Sequence, residues 1–219
     1  MMNFFKSSKL RIDYVTIPDF GWNNFHNDEQ IRQWVNPEQS IVLSINFFNA
    51  KPDIPTVYDA NVLRHYYRQQ LSQQNGGIVE VDTLQLKDFN AIKTIFKIKN
   101  AEDKLIYLAS LTIPFHKCSY VIKIQAAEVG TTGVRESVIG MKLMTQGKIS
   151  VDENGYVGWS EDPYDANYKE GLLMNLSEKP IYDLEFPEHA LTQARALLNQ
   201  IAREIKFSDE VKAAKAFRH

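Results

Sequence analysis

Four stretches in the middle of the chain alternate between hydrophobic and polar residues and are separated by short polar breaks. In residues 92–98, for example, isoleucine, threonine and phenylalanine fall on one side and lysines fall on the other. Side chains of a β-strand point alternately to the two faces of a sheet, so this pattern predicts strands. The predicted strands cover residues 78–86, 92–98, 105–113 and 119–127. Because breaks such as 87–90 and 100–103 are too short for a crossover connection, consecutive strands must be antiparallel neighbours.

Two further stretches, residues 11–17 and 41–48, extend this prediction to a sheet of about six strands. Elsewhere hydrophobic residues recur every three or four positions, which is typical of helices. The predicted helices cover residues 28–35, 56–74, 132–146 and 187–206. Asp28 and Thr56 are the expected N-terminal caps of the first two. The sequence therefore predicts an α+β fold, an antiparallel sheet flanked by helices.

Two of these helices carry definite packing expectations. The helix at 56–74 is expected to pack on the sheet through Leu63, Tyr67 and Leu71. On the helix at 132–146, the residues expected mostly on the buried side are Val134, Val138, Met141, Leu143 and Met144. Both expectations follow from the spacing of hydrophobic residues on one helical face.

The chain changes character after residue 148. From 149 to 186, a segment that we call the arm, glycine, proline, asparagine, aspartate and tyrosine are dense and no periodicity lasts. We interpret the chain as a single domain over 1–219, with a core at about 9–148 and with the arm and a C-terminal helix at about 149–219. Aromatic residues interleaved with acidic ones either pin such an arm onto the domain or form a partner surface, and we favour the pinned arm.

Composition narrows the classes of function. The 219-residue chain has a formal net charge of −2, so it lacks the positive charge that favours binding to nucleic acid or acidic membranes. Lys93, Lys97 and Lys99 share one predicted strand face, which we interpret as a solvated face or a protected edge. Cys118 is the single cysteine, expected to be buried, in a reducing compartment. Because the chain has neither a signal-peptide pattern nor about 18 consecutive apolar residues, we expect a cytoplasmic protein.

Spacing along the chain gives no metal or cofactor motif. None of the five histidines forms a zinc pair on one helix. Residues 150–161 match a calcium-binding loop only in part, since Ser150 stands where the first aspartate is expected. We therefore expect no bound metal, no cofactor and no catalytic residue.

Candidate binding chemistry concentrates in residues 126–136, where a predicted strand runs into a predicted helix. The turn holds Glu128, Thr131, Arg135 and Glu136 together with two glycines. Proteins with sheets and helices often place recognition sites at such turns. We expect Arg135 to pair with Glu128, and Glu136 to lie at the positive end of the helix. The alternative is that one of the glutamates acts as a catalytic base.

Three local sequences accompany the order of the elements. They are Gln-Gln-Asn-Gly-Gly at 73–77, Leu-Thr-Ile-Pro at 111–114 and Tyr-Val-Ile at 120–122. Over roughly residues 11–146 this arrangement resembles the PsbP/Mog-like fold, the group of the extrinsic photosystem protein PsbP, the Ran-binding Mog proteins and the Eag-type secretion chaperones. The resemblance implies a protein that binds other proteins and is not a catalyst. The arm is similar to a segment of a bacterial family.

These observations predict a non-enzymatic protein-binding domain, such as an adaptor, a chaperone or an immunity-like inhibitor. Its partner would be another protein, with no nucleic acid and no membrane, bound in a groove between the sheet and the arm. The alternatives are a small hydrolase or lyase with a glutamate base, and a small-ligand-binding protein. The expected binding residues are Glu128, Thr131, Arg135, Glu136, Trp159, Asp162, Tyr164 and Asp165.

Overall fold

The computed structural model describes residues 10–153 and 155–218. Numbered along the chain, its strands are β1 (Val15–Thr16), β2 (Asn23–Asn27), β3 (Ile31–Val35), β4 (Ile41–Phe48), β5 (Gly77–Leu86), β6 (Phe89–Lys99), β7 (Leu105–Pro114), β8 (Ser119–Ala127), β9 (Ser150–Asp152), β10 (Gly155–Val157), β11 (Ser160–Glu161), β12 (Met174–Asn175) and β13 (Lys206–Phe207). The α-helices are α1 (Ala60–Ser72), α2 (Val134–Thr145), α3 (Ala190–Glu204) and α4 (Asp209–Lys212). Short 3₁₀ helices cover Ile12–Tyr14, Leu176–Glu178 and Pro180–Glu185.

A seven-stranded sheet forms the centre of the fold, in the order β2-β3-β4-β8-β7-β6-β5. Every neighbouring pair in it is antiparallel. The predicted α+β class is therefore confirmed, and so is the run of four consecutive antiparallel strands from β5 to β8. The remaining strands form the two-stranded ribbons β1–β13, β9–β10 and β11–β12. The stretch 150–161, which partly matches a calcium-binding loop, contains β9, β10 and β11, and its residue Asn154 lies outside the described residues.

The helix predicted over residues 28–35 is wrong, because this segment belongs to the β2–β3 hairpin. The carboxylate of Asp28 accepts hydrogen bonds from the N–H groups of Gln30 and Ile31, each 2.7 Å long, and closes the turn. Aspartate suits a tight turn as well as a helix cap, so the local sequence does not distinguish the two. Pairing of β3 along β4 supplies the backbone partners that decide for the strand.

Residues 11–17 do not form a strand of the central sheet. The 3₁₀ helix Ile12–Tyr14 leads into β1, which pairs with β13 near the end of the chain. Ile12, Val15 and Ile17 are all buried, and the 3₁₀ turn allows Ile12 and Val15 to reach the same core. The sheet thus loses one predicted strand and gains two from the hairpin, which gives seven instead of about six.

Helix α3 covers one face of the sheet and packs against β7 and β8. One row of paired residues across this face consists of Leu43, Ile124, Ala109 and Ile95. The helix contributes the buried side chains Leu191, Ala194, Leu198 and Ile201. The main core therefore extends beyond residue 148, because α3 completes it.

Helix α1 packs on the opposite face of the sheet, at β5. The packing residues are the predicted ones, Leu63, Tyr67 and Leu71. The Tyr67 ring lies 5.1 Å from the Phe96 ring. The N-cap is Asp59, whose carboxylate accepts the N–H groups of Asn61 and Val62, and not Thr56 as predicted.

The buried side of α2 differs from the prediction. Its buried residues are Arg135, Ile139, Gly140 and Leu143. Of the five residues expected on that side only Leu143 is buried, while Val134, Val138, Met141 and Met144 are exposed. The reason is that α2 packs against the arm, through Ile149 and Tyr182, and not against the sheet.

Two further features bear on the sequence predictions. Cys118 is buried as expected, and burial raises the pKa of its thiol to about 11. Within residues 10–153 and 155–218, no helix is long and apolar enough to cross a membrane.

Candidate functional site

The first part of the arm is pinned to α1 and β5. The Arg68 guanidinium donates to the Asp162 carboxylate, with Nε 2.9 Å from Oδ2. The Tyr164 hydroxyl accepts the N–H of Val81 at 2.9 Å, and the Arg64 guanidinium lies 3.6 Å from the centre of the Tyr164 ring. These contacts hold the first part of the arm against α1 and β5, which agrees with the predicted pinned arm. They also occupy Asp162 and Tyr164, two residues of the predicted groove.

Two other predicted binding residues of the arm, Trp159 and Asp165, are engaged in contacts within the domain. The Trp159 ring lies 3.9 Å from the position that a side chain on Gly140 would occupy, so it covers the inner face of α2. Asp165 shapes a local turn, in which its carboxylate accepts the N–H of Asn167 at 3.0 Å. Its own N–H donates to the Asp162 carboxylate at 3.0 Å, and neither Trp159 nor Asp165 lines the cavity at the β8–α2 turn.

A buried ion pair joins the second part of the arm to the sheet. Lys97 and Glu178 are 2% and 0% exposed, and Nζ lies 2.6 Å from Oε2. The same carboxylate accepts the Tyr107 hydroxyl at 2.9 Å and the Asn175 N–H at 2.7 Å. The interpretation of Lys97 as part of a solvated face is therefore wrong. The arm covers this face of the sheet, which strand periodicity could not reveal.

Arg135 is buried and binds the arm, so the predicted pair with Glu128 is wrong. The residue is 1% exposed, and its guanidinium lies 2.9 Å from the carboxylate of Asp183. It also donates to the main-chain carbonyl of Ser177 at 2.8 Å and to the Thr192 hydroxyl at 2.9 Å. A guanidinium with this many internal acceptors is not available to a partner.

Arg195 on α3 links these contacts to the sheet. It lies 2.9 Å from Asp183 and also pairs with Glu80, which binds Lys93 at 2.9 Å. Burial alone would raise the pKa of Glu80, but the charges of Arg195 and Lys93 outweigh it and lower the pKa. We call the whole set the arm-lock cluster: Glu80, Lys93, Lys97, Tyr107, Arg135, Glu178, Asp183 and Arg195.

A second group of charged side chains lies at the β8–α2 turn. Glu128 accepts a hydrogen bond from Nε2 of His189 at 2.9 Å, and their side chains are 8% and 11% exposed. His189 is the N-cap of α3, and its Nδ1 accepts the N–H of Leu191 at 3.2 Å. Because Nδ1 acts as the acceptor, the ring hydrogen lies on Nε2 and points to Glu128.

Glu136 lies beside this pair with both carboxylate oxygens buried. Among the residues that the structure describes, no other residue donates a hydrogen bond to either oxygen. One ligand atom each from Glu128, Glu136 and His189 lies within 4.8 Å of the other two. Burial raises the pKa of Glu136 and outweighs the opposing effect of its own backbone N–H, and the charge of Glu128 acts in the same direction as burial. We call these three residues the Glu/His cluster.

A cavity of about 250 Å³ opens next to the Glu/His cluster. Its lining includes Glu128, Thr131, Val134, Phe186, His189 and Gln193. Gly133, the N-cap of α2, adopts a left-handed backbone conformation with φ of +76°, which turns the chain sharply at the edge of this cavity. The cavity gives a small ligand access to two members of the cluster.

The structure thus distributes the predicted binding residues over three places. Glu128, Thr131 and Arg135 line the cavity, although the Arg135 guanidinium is bound to the arm. Glu136 lies next to the cavity, and the predicted residues of the arm are engaged in packing. The important residues that the sequence prediction missed are Glu80, Glu178, Asp183, His189 and Arg195. A signal for Arg195 exists, because it interrupts the hydrophobic stripe of α3. Another is the capping-box spacing of Asn175 and Glu178.

Comparisons with known proteins add little about function. Neither a protein-family model nor a curated protein matches the chain. A solved structure from Bacteroides thetaiotaomicron matches 81% of this chain at 14% identity and a TM-score of 0.35, and the match spans 55% of that chain. A protein of unknown function from Pseudomonas aeruginosa matches 61% of this chain and 94% of that chain, at 11% identity and a TM-score of 0.34. TM-scores this low establish neither a shared fold nor a shared function. The resemblance to the PsbP/Mog-like fold therefore stays a prediction.

Proposed function

We propose that this domain binds another protein through the outer face of α2. That face carries four exposed hydrophobic residues. They are Val134 (47% exposed), Val138 (48%), Met141 (67%) and Met144 (37%). Their spacing of three or four residues makes one continuous stripe along the helix. Contiguous exposed hydrophobic surface of this kind is typical of interaction sites, and we call it the α2 stripe.

The surroundings of the α2 stripe support an apolar partner surface. Lys142, next to Met141, has its charge paired, since Nζ lies 2.9 Å from the Glu185 carboxylate. A shallow depression of about 490 Å³ runs along this side of α2 and is lined by Ser137, Val138, Met141, Lys142, Thr145 and Gln146. Methionine side chains adapt their shape to a partner, which suits them to such a surface.

The partner surface that fits best is the hydrophobic face of an amphipathic helix. Helices that dock on another protein use anchors spaced three, four and seven residues apart, and the α2 stripe offers matching positions. A stable dimer of standard size uses about 20–30 residues from each partner. Because α2 has only 12 residues, the stripe suits an anchor for a partner helix better than a dimer interface.

Site-specific photo-cross-linking in the source cells tests this proposal. A photoreactive amino acid at Met141 should give one discrete adduct, and peptide mapping should place the cross-link in an amphipathic helix of the partner. The matched control carries the same probe at Gln70, which is exposed on α1, and should give no such adduct. Adducts from Met141 only with a second copy of the chain, or no adduct, would contradict the proposal.

A further inference from the structure

We propose that Glu128, Glu136 and His189 bind a divalent transition-metal ion. One ligand atom from each residue lies within 4.8 Å of the other two. Imidazole nitrogen and carboxylate oxygen bind zinc at about 2.0–2.2 Å, so two ligands of one ion lie at most about 4.4 Å apart. The side chains are therefore almost at coordinating distances. The proposal does not rest on the α2 stripe, although Val134 of that stripe also lines the adjacent cavity.

The unpartnered carboxylate of Glu136 is the observation that points to a cation. Both of its oxygens are buried, and within the described part of the chain no other residue donates a hydrogen bond to them. Buried polar groups in proteins nearly always have a partner, so a buried carboxylate without one marks a candidate ligand site. A cation held between Glu128 and Glu136 would supply the missing positive charge.

The donor set favours a metal of the zinc class. Two carboxylates and one imidazole suit ions such as zinc, cobalt and manganese, whereas calcium takes six to eight oxygen ligands. The two negative charges of the carboxylates balance the charge of a divalent ion. Three protein ligands also leave a coordination position open, and the adjacent cavity of about 250 Å³ gives water or a small ligand access to it.

Metal binding at His189 would change its hydrogen bonds in a defined way. Coordination uses the lone pair of Nε2, so the ring hydrogen that now points to Glu128 must move to Nδ1. Nδ1 then no longer accepts the N–H of Leu191, which now lies 3.2 Å from it. Binding therefore has two signatures: a switch of the His189 tautomer and faster hydrogen exchange at the Leu191 amide.

The spacing of residues along the sequence could not reveal this site. Glu128 follows β8, Glu136 lies in the first turn of α2, and His189 precedes α3. The expectation of no metal came from known motifs, which place ligands close together in sequence. Here three separate segments meet only after the arm has brought α3 back to the β8–α2 turn.

Calorimetric titration with Zn²⁺, Mn²⁺ or Co²⁺ tests the proposal. The metal-free protein should bind one equivalent of at least one of these ions, and Glu136→Gln and His189→Gln should each weaken that binding at least tenfold. The matched control is Glu188→Gln. The Glu188 carboxylate is a neighbour of the site that accepts a hydrogen bond from Gln193, and this variant should bind the metal like the wild type. Circular dichroism confirms that each variant is folded.

A nitrogen NMR spectrum of the imidazole rings provides a second readout on the wild-type protein. Addition of the bound metal should move the His189 hydrogen from Nε2 to Nδ1 and speed exchange at Leu191. The absence of binding to any of the three ions would overturn the proposal. Binding that is equally tight in Glu136→Gln and His189→Gln would overturn it as well, because the metal would then sit elsewhere.

Discussion

The arm-lock cluster and the Glu/His cluster are both buried, but they differ in how their charges are paired. Lys97 and Glu178 lie 2.6 Å apart, and Arg135 and Asp183 lie 2.9 Å apart. In the Glu/His cluster, by contrast, no other residue of the described structure donates a hydrogen bond to the Glu136 carboxylate. Paired charges fix the arm in place, whereas an unpaired carboxylate is suited to receive a ligand. Burial alone therefore does not distinguish a structural charge from a functional one.

The two clusters meet at consecutive residues of α2. Arg135 points to the arm-lock cluster, and Glu136 belongs to the Glu/His cluster. Neighbouring residues of a helix point about 100° apart, so a single turn of α2 serves both. Mutations on this turn should separate the structural contribution of one cluster from the chemistry of the other.

The largest loss of stability is expected from Lys97→Met. This change leaves the Glu178 carboxylate buried without its cation, which costs about 3–5 kcal/mol in comparable buried pairs. Chemical denaturation measures the free energy of unfolding. The control is Lys99→Met on the same strand, whose partner Asp103 is exposed, and it should cost less than about 1 kcal/mol. Equal losses in the two variants would show that the arm-lock pair does not hold the arm.

A somewhat smaller loss is expected from Arg135→Ala, about 3 kcal/mol. The change leaves the Ser177 carbonyl and the Thr192 hydroxyl without their donor, although Asp183 keeps its bond to Arg195. Thermal melting followed by circular dichroism is the measurement, with Arg203→Ala on the exposed side of α3 as control. An unchanged melting temperature would show that the contacts of Arg135 do not stabilise the fold.

The contact of the arm with α1 should make stability depend on acid pH. Burial alone would raise the pKa of Asp162, but hydrogen bonds from Arg68 and from the Tyr164 N–H lower it overall. A lowered folded pKa gives stability that is present above the unfolded value near 3.9 and is lost as pH falls through the folded value.

Asp162→Asn tests this pH dependence. The variant should be less stable than the wild type by about 1–2 kcal/mol at neutral pH, since a charged hydrogen bond is lost. The difference should shrink as pH falls below about 4, where the carboxylate of the unfolded wild type takes up a proton, and it is lost once the pH passes the lowered folded pKa. Melting temperatures between pH 3 and 7 measure it, and a constant difference over that range would contradict the assignment.

The same substitution in the two clusters should have opposite effects in metal-free protein. Glu136→Gln removes an unpaired buried charge and should raise the free energy of unfolding by up to about 1 kcal/mol. Glu178→Gln removes the charge that Lys97 needs and should lower it. A similar loss in both variants would mean that Glu136 is held by contacts of its own.

The smallest change in stability is expected from Met141→Glu. Because this side chain is 67% exposed, the free energy of unfolding should stay within about 0.5 kcal/mol of the wild-type value. In cells, the same change should abolish the adduct formed by a photoreactive amino acid placed at Val138. A retained adduct would show that the α2 stripe does not hold the partner.

The sequence by itself determined the elements whose contacts are local. The meander from β5 to β8 and the packing face of α1 follow from residues close together in the chain, where hydrophobic periodicity is a direct record of burial. The helix α3 was predicted on the same basis. The Asp28 turn marks the limit of this argument, because the pairing of β3 with β4 overrode a pattern that also suits a helix.

Only the tertiary structure decided which charges are buried and with which partners. Lys97 lies at a polar position of an alternating strand, and it is buried because the arm, some 80 residues later, covers that face. Arg135 binds Asp183 instead of the nearby Glu128 for the same reason. His189 reaches Glu128 across the 61 positions that separate them in the chain. Periodicity records the polarity of a face, whereas the partner of a buried charge depends on which distant segment folds over that face.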